Sequence, residues 1–558
     1  MSDTPEEKPA EKPPEPAAAA PPPAPEPAPA APAGPVTEAD DEPAKGEDEA
    51  AKAEPPTPSL LETLDAPLTL ATLLLGIVLL AFVQLSTKQL VDNDSLYHVG
   101  AANELAVNGD NILTKGKFPW MQGTFLRDHY ADKELLFHAL LMPFCSSIRT
   151  MDANAKYVTI VLGGLVLVAF VSVIRAAGIK HGWLWLLLLM GAGENFTYRL
   201  IQTRPHLLSI AIVLFGLRFI LQRRSLPLYF FGFLLAWSYS GPQVLPAVAL
   251  VAMLARWARG GGLVWKPFAT SVVGVAAGLV LTPFGWRSNL YLWRVQNVDV
   301  LLRAWGVTPT MGKLGAELYP YTTRELVLGT PGFCITLVLC VGALLLARRR
   351  PSIRTATLGG VALASVAALF TSAKFLDYAA PLSVLFAASA VDDQWRGGGR
   401  TLWRTALANV FALGVIALAL FTTARTHALV KKFFSKDPPL RGVATWLAGN
   451  AQGVTVVHFE WNEFSTLFHD NRKSFYLYGL DPTFMEVWRP ELLEYLDAIK
   501  KSTKPLSGRW FAEYQHFDAK ARFIVVQQGT AAANACYTSD LVVVHEDEGG
   551  AVFALTRE

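Results

Sequence analysis

The sequence predicts an α-helical polytopic membrane protein of about 11 transmembrane helices, followed by a small C-terminal α/β domain on the external face. Three observations carry this expectation. Hydrophobic residues make up 52% of the 558 and charged residues only 17%, so there is more apolar surface than one soluble core needs. Apolar runs succeed one another from Pro67 to about residue 424, with basic residues gathered in every second loop. From about Asp437 the long runs stop and short β-branched runs begin.

Residues 1–62 consist largely of Pro, Ala, Glu, Asp and Lys, as in Ala17-Ala18-Ala19-Ala20-Pro21-Pro22-Pro23. With almost no large apolar side chains to offset ordering entropy, they read as a disordered, polyproline-biased cytoplasmic tail. A signal peptide is not expected, because no basic segment leads directly into the first apolar run, and 67–86 is long enough to remain as an anchor. Further runs follow at about 155–175, 182–195, 205–221, 226–240, 243–256, 268–283, 331–347, 355–372, 376–391 and 404–424. Several fall short of the ~20 residues of a perpendicular crossing. The pair 226–240 and 243–256, joined at Gly241-Pro242, also fits a re-entrant hairpin.

Orientation follows from charge. Arg175 and Lys180, Arg223 and Arg224, Arg256 to Lys266, Arg348 to Arg354, and Arg396 to Arg404 fall in alternate loops, which are therefore assigned to the cytoplasm. The polytopic domain, 63–430, then exposes the loops 87–150, 194–204 and 284–330 outside, and a bacterial inner membrane with a periplasmic or other external C-terminal domain is the expected location. Leu135 to Phe144, interrupted by Pro143, reads as an interfacial helix and not a crossing. In the domain at 437–558, Val454–Val457, Phe523–Val526 and Leu541–Val544 are strand candidates, and Pro490 to Lys501 reads as a helix. Its Gly449-Asn-Ala-Gln-Gly453 stretch lacks both Gly-rich phosphate-loop patterns, which speaks against nucleotide binding.

A net charge of +2 excludes a strongly basic nucleic-acid binder, and no C-x-x-C or H-E-x-x-H pattern suggests zinc. The four cysteines are scattered, with Cys145 and Cys536 the one pair worth testing as a disulfide. What packing cannot account for is Asp92-Asn93-Asp94-Ser95-Leu96-Tyr97-His98 directly after the first span, since a charge near hydrocarbon costs roughly 2.5 kcal/mol or more. If a helix starts at Asp94, its carboxylate is also an N-cap candidate. Capping leaves unexplained a second acidic group in the same loop, containing Asp128, His129, Asp132 and Glu134. Arg204 and His206 sit at the external mouth of a span, where Arg204 either binds phosphate or snorkels. Lys374, near Tyr378, has the same two readings. Histidines 98, 129 and 138 are either metal ligands or hydrogen-bonding interfacial residues.

Asn93-Asp94 followed by Tyr97 and small residues to Ala102, just after the first span, resembles the first external loop of GT-C glycosyltransferases. These multispanning enzymes take sugars from polyprenyl-phosphate carriers and include oligosaccharyltransferase catalytic subunits and protein mannosyltransferases. Arg204-Pro205-His206, Thr282-Pro283-Phe284-Gly285 and Glu317-Leu318-Tyr319-Pro320 agree with the same layout, over about residues 67–424. The resemblance implies that Asp94 is the acid/base carboxylate, with Asp92 beside it. It further implies that Asp132 or Glu134, with Asp128 nearby, forms the second acidic motif, and that a divalent cation such as Mg or Mn neutralises the leaving phosphate. Arg204, His206 and Lys374 would then face the donor phosphate. Phe459-Glu460-Trp461-Asn462-Glu463-Phe464 resembles the oligosaccharyltransferase Trp-Trp-Asp-Tyr-Gly signature in placement only. It has one Trp and no Tyr-Gly, which speaks against a peptide acceptor. The implied partners are a polyprenyl-phosphate-linked sugar donor, the lipid bilayer and an unidentified acceptor, without nucleic acid. A transporter or flippase of lipid-linked saccharide, and a membrane-anchored interaction module, are the competing readings.

Overall fold

Apolar runs become helices here because only a helix satisfies its own backbone donors and acceptors in lipid. The computed structural model describes residues 60–311, 313–346, 350–395 and 402–555, which lie in one compact unit. The tail expected at 1–62 falls almost entirely outside the described residues. Each of the apolar runs folds as a helix, beginning with Leu60–Gln84 and Met151–Ala176 and ending with Leu376–Trp395 and Leu402–Phe434. Only four stretches among the described residues are long and apolar enough to cross a bilayer alone, namely Leu64–Gln84, Met151–Ala176, Ala373–Gln394 and Ala406–Phe434. A fifth is added if Thr323–Gly329 and Pro331–Leu345, bent by 94°, count as one span. The expected 11 crossings therefore exceed what length supports, because helices such as Gly182–Met190 and Leu226–Ser238 are short.

The helices Leu226–Ser238 and Lys266–Val280 approach so closely that a Cβ on Gly274 would lie 2.1 Å from the Tyr229 carbonyl oxygen. Small residues at such a contact permit dispersion contacts between backbones where lipid provides no hydrophobic drive. Leu135–Leu141 is a helix of only 7 residues, too short to span.

The C-terminal residues form a five-stranded sheet in the order β2-β1-β3-β5-β4, comprising β1 (Thr455–Val457), β2 (Phe475–Tyr476), β3 (Ala521–Gln527), β4 (Val542–Glu546) and β5 (Gly550–Ala554). β1 pairs in parallel with β2 and β3, whereas β5 runs antiparallel between β3 and β4. The sequence reading missed β2, which has two residues, and β5. The first polar loop extends this sheet: Met121 bridges Tyr476, and the Gln122 and Gly123 amides donate to the Tyr476 and Leu477 carbonyls. Tyr97, Phe118 and Phe125 share one buried cluster with Val456, Phe464 and Phe468. The loop at 87–150 and the residues beyond 437 thus pack together through one buried cluster. All four cysteines are free, so Cys145 and Cys536 do not pair.

Candidate active site

The chain leaves Leu60–Gln84 and turns into the helix Asn93–Lys115 through Asp92, whose φ of 81° is an uncommon conformation for a residue with a Cβ. Neither Asp92 nor Asp94 caps that helix. No side-chain cap bond is present, and the Asp94 carboxylate lies 2.9 Å from Arg204 Nη2 instead. The N-cap reading of Asp94 is therefore corrected. Ser95 fixes the geometry: its hydroxyl donates to the Val91 carbonyl at 2.7 Å and accepts the Thr203 amide at 3.0 Å, which brings the loop carrying Arg204 against the helix start.

Arg204 is surrounded by acid. Besides Asp94 it reaches Asp92 at 3.5 Å and both Glu317 oxygens at 3.1 and 3.2 Å. Arg199 continues the network, pairing with Glu317 at 3.0 Å and forking onto both oxygens of Asp377, one of them at 2.7 Å. Sequence reasoning missed Arg199 and Asp377. A carboxylate near the start of an apolar run was the available signal for Asp377. Four carboxylates face two guanidiniums here, so the network is richer in acid than in guanidinium. Burial, with Arg204 opposing and Asp94 and Glu317 adding to it, pushes Asp92 up to about 7. Burial also acts to raise Glu317, but Arg204 and Arg199 outweigh it and hold that carboxyl well below the usual range.

These groups line a cavity of about 610 Å³. Lys374 enters it from a segment tied to the Glu317 loop, where the Ser372 hydroxyl donates to the Glu317 carbonyl at 2.7 Å and the Ala373 amide to Tyr319 at 2.8 Å. Among the described residues Lys374 makes no ion pair. His206 also lines the cavity, but its Nε2–H donates to the Arg199 carbonyl at 2.8 Å. Trp461, Asn462 and Asp481 from the C-terminal body close the cavity on another side. The Tyr478-to-Pro482 stretch delivers Leu480 and Asp481 to the site.

A second cluster abuts the first. His98 Nδ1 and His138 Nε2 are 3.0 Å apart, His138 Nδ1–H donates to Asp132 at 2.7 Å, and Asp132 also accepts the Glu134 amide at 2.9 Å. Donor atoms of His98, Glu134 and His138 lie within 4.8 Å of one another. Burial and the neighbouring His138 hold His98 well below its ordinary value, which keeps its imidazole neutral. Burial opposes protonation of His138, but Asp132 prevails and raises it. The donors fit a divalent metal: two imidazoles and a carboxylate converge, and Asp132 orients His138 as an outer carboxylate does in histidine metal sites.

No family model and no curated relative matches the sequence, so comparison rests on structure. The archaeal oligosaccharyltransferase AglB from Archaeoglobus fulgidus, in complex with an inhibitory peptide and a dolichol-phosphate, superposes with a TM-score of 0.58 at 11% identity, covering 88% of this chain and 75% of that one. An A. fulgidus oligosaccharyltransferase in complex with Zn and sulfate gives 0.55 at 11% identity over 82% and 68%. ArnT from Cupriavidus metallidurans, bound to undecaprenyl phosphate, gives 0.56 at 14% identity over 87% and 98%. The chain has the GT-C fold.

Within the GT-C fold, not all of the expected residues come together. Asp92, Asp94, Arg204, His206, Glu317, Lys374, His98 and Glu134 line the one cavity, with Asp132 directly behind. Asp128 does not join them: it pairs with Arg127 at 2.6 Å and lies 4.0 Å from Lys117. His129 also points elsewhere, with its ring against Trp488 at 5.8 Å. Both follow the 3-10 turn Phe125–Arg127, away from the cavity lining.

Proposed function

We propose that this chain is a membrane glycosyltransferase that moves a sugar from a polyprenyl-phosphate-linked donor to an acceptor on the external face. The observation that carries the reading is Asp94, held by Arg204 at the wall of a cavity large enough for a sugar phosphate. Asp94 orients the acceptor O–H or N–H and takes its proton as the new bond to the anomeric carbon forms and the phosphate departs. Arg204 cannot also serve as a free phosphate clamp, because three carboxylates already occupy its donors. Lys374, without an ion pair among the described residues, is the better group for the leaving phosphate.

The excess of carboxylates over guanidiniums would repel a phosphate, so positive charge beyond Arg199 and Arg204 favours its binding. His98, Glu134 and His138 would hold a divalent ion, oriented by Asp132, and its charge would stabilise the leaving group. Two imidazoles suit a zinc-class ion better than Mg or Mn, which favour all-oxygen sites.

The test is incubation of the purified full chain with a panel of radiolabelled polyprenyl-phosphate sugars and a membrane extract as acceptor source, with and without a chelator. Transfer of label from at least one donor is expected. Movement of intact lipid-linked saccharide across liposomes, with no sugar transfer from any donor, would make the chain a transporter and overturn the reading.

A further inference from the structure

A second cavity, of about 250 Å³, lies among the ends of the helices His206–Leu221, Val244–Ala258, Lys266–Val280 and Ile353–Leu369. His206 lines the first cavity and Leu221 the second, so the 16-residue helix they bound separates the two by roughly 22 Å at 1.5 Å per residue. No residue lines both. This second cavity therefore opens at the end of the molecule that carries the basic loops.

Its lining is apolar on one side, with Ile220, Met253 and Val264, and cationic on the other, with Arg223, Arg256 and Arg354. The charge of Arg354 is answered within the chain by Asp392 and Asp393, each at 3.0 Å. That of the other two is not. Among the described residues, neither Arg223 nor Arg256 has an ion pair or a side-chain hydrogen bond, and Arg256 Nε is buried with no acceptor. A buried guanidinium donor without an acceptor is destabilising, so an anion from outside the chain is the simplest completion. Arg223 is set at the mouth by a left-handed backbone, φ 56°, with its amide donating to Ile220 at 3.0 Å. Trp257 and Trp265 are exposed in the same region, where aromatic side chains mark the headgroup level of a bilayer.

We propose that this cavity binds the phosphodiester of an anionic glycerophospholipid, with the two unpaired arginines on the phosphate and the glycerol and upper acyl chain along Ile220, Met253 and Val264. Guanidinium forks match phosphate oxygens, and basic pockets between membrane helices bind acidic headgroups. The apolar wall distinguishes a lipid from free phosphate, which would gain nothing from it.

Native mass spectrometry of the purified full chain, titrated with phosphatidylglycerol, phosphatidylcholine or inorganic phosphate, tests the proposal. Saturable binding of phosphatidylglycerol over the other two is expected. Arg223→Gln with Arg256→Gln should abolish the preference, whereas Arg175→Gln with Arg224→Gln, the same charge change at exposed positions outside the cavity, should keep it. Arg223→Asn alone, outside any helix, should weaken phosphatidylglycerol about fivefold, as expected for one basic group at a lipid phosphate, and it keeps the test open if the Arg256 change costs folding. Equal loss in the cavity and control doubles, equal binding of phosphatidylcholine, or no effect of Arg223→Asn would overturn it.

Discussion

Two aspartates two residues apart share one arginine, yet their surroundings give them different work. Asp94 lies 2.9 Å from Arg204, in the first turn of its helix, while Asp92 lies 3.5 Å away and is pushed up to about 7 by burial. The Asp94 carboxylate is placed to accept a proton, whereas Asp92, which takes up a proton more readily than an ordinary carboxylate, relieves repulsion in the network. Removing a positioned acid/base group lowers rates roughly 10²- to 10⁴-fold, and neither carboxylate contributes a helix cap that its loss would forfeit. Asp94→Asn is therefore expected to accumulate and melt as wild type while losing most sugar transfer. Asp92→Asn, which mimics the protonated form, should be milder. Expression, thermal melting and transfer rate on both variants decide it, and wild-type turnover in Asp94→Asn would remove Asp94 from the chemistry. Asp92, Asp94 and Arg204 were legible in the sequence because charges beside apolar runs have no packing explanation, and Glu317 through the resemblance of Glu317-Leu318-Tyr319-Pro320 to the GT-C layout. Arg199 with Asp377 was not, since 178 residues separate them and only the fold brings them together.

At the scale of elements, the C-terminal body is fastened to the membrane helices by an ionic clasp. His469, at the end of the helix Glu463–Asp470, directs Nε2 to Asp152 at 2.9 Å and Nδ1 to Asp470 at 2.6 Å, and Arg441 reaches the same two carboxylates at 3.7 and 3.0 Å. Both ring nitrogens can donate only if the imidazole is protonated. Burial opposes that charge, but Asp152 and Asp470 outweigh it and raise His469 above 6.5. A folded value raised above the unfolded one stabilises fully below about 6.5 and loses that contribution as pH climbs through the folded value. Hydrogen-exchange protection of Glu463–Asp470, relative to the intrinsic base-catalysed rate, should accordingly fall on going from pH 6 to pH 8.5. Asp152→Asn should flatten this dependence and cost about 1.5 kcal/mol, the low end for a hydrogen bond to a charged group, since Asp152 is partly exposed. Protection that does not change with pH would show that the clasp does not hold the two parts. The helices and the strands β1, β3 and β4 could be read from the sequence because their runs are long or β-branched. The clasp could not, because Asp152 belongs to a helix read only as a span.

Across the whole molecule, the two cavities lie at opposite ends of one helix, with acid at one and unpaired arginine at the other. Such polarity is what the positive-inside rule produces when basic loops are kept in the cytoplasm. Trp461, Asn462 and Asp481 line the carboxylate cavity, so the C-terminal body must share that cavity's side of the membrane. By the positive-inside rule the basic loops are expected to put the C-terminal body outside, with the N-terminus inside if the number of crossings is odd. Helix length does not confirm the number of about 11: helices such as His206–Leu221 reach only about 24 Å at 1.5 Å per residue, against ~30 Å of hydrocarbon. Parity survives if short helices are lost in pairs, which makes orientation the sounder expectation. A cysteine at exposed Lys504, introduced by Lys504→Cys into a chain whose own cysteines are replaced by serine, should react with an impermeant maleimide on intact cells. Ser59→Cys in the same background should react only after permeabilisation. Labelling of Ser59→Cys from outside, with Lys504→Cys protected, would turn the molecule over and put the carboxylate cavity on the cytoplasmic face, where an external acceptor could not reach it.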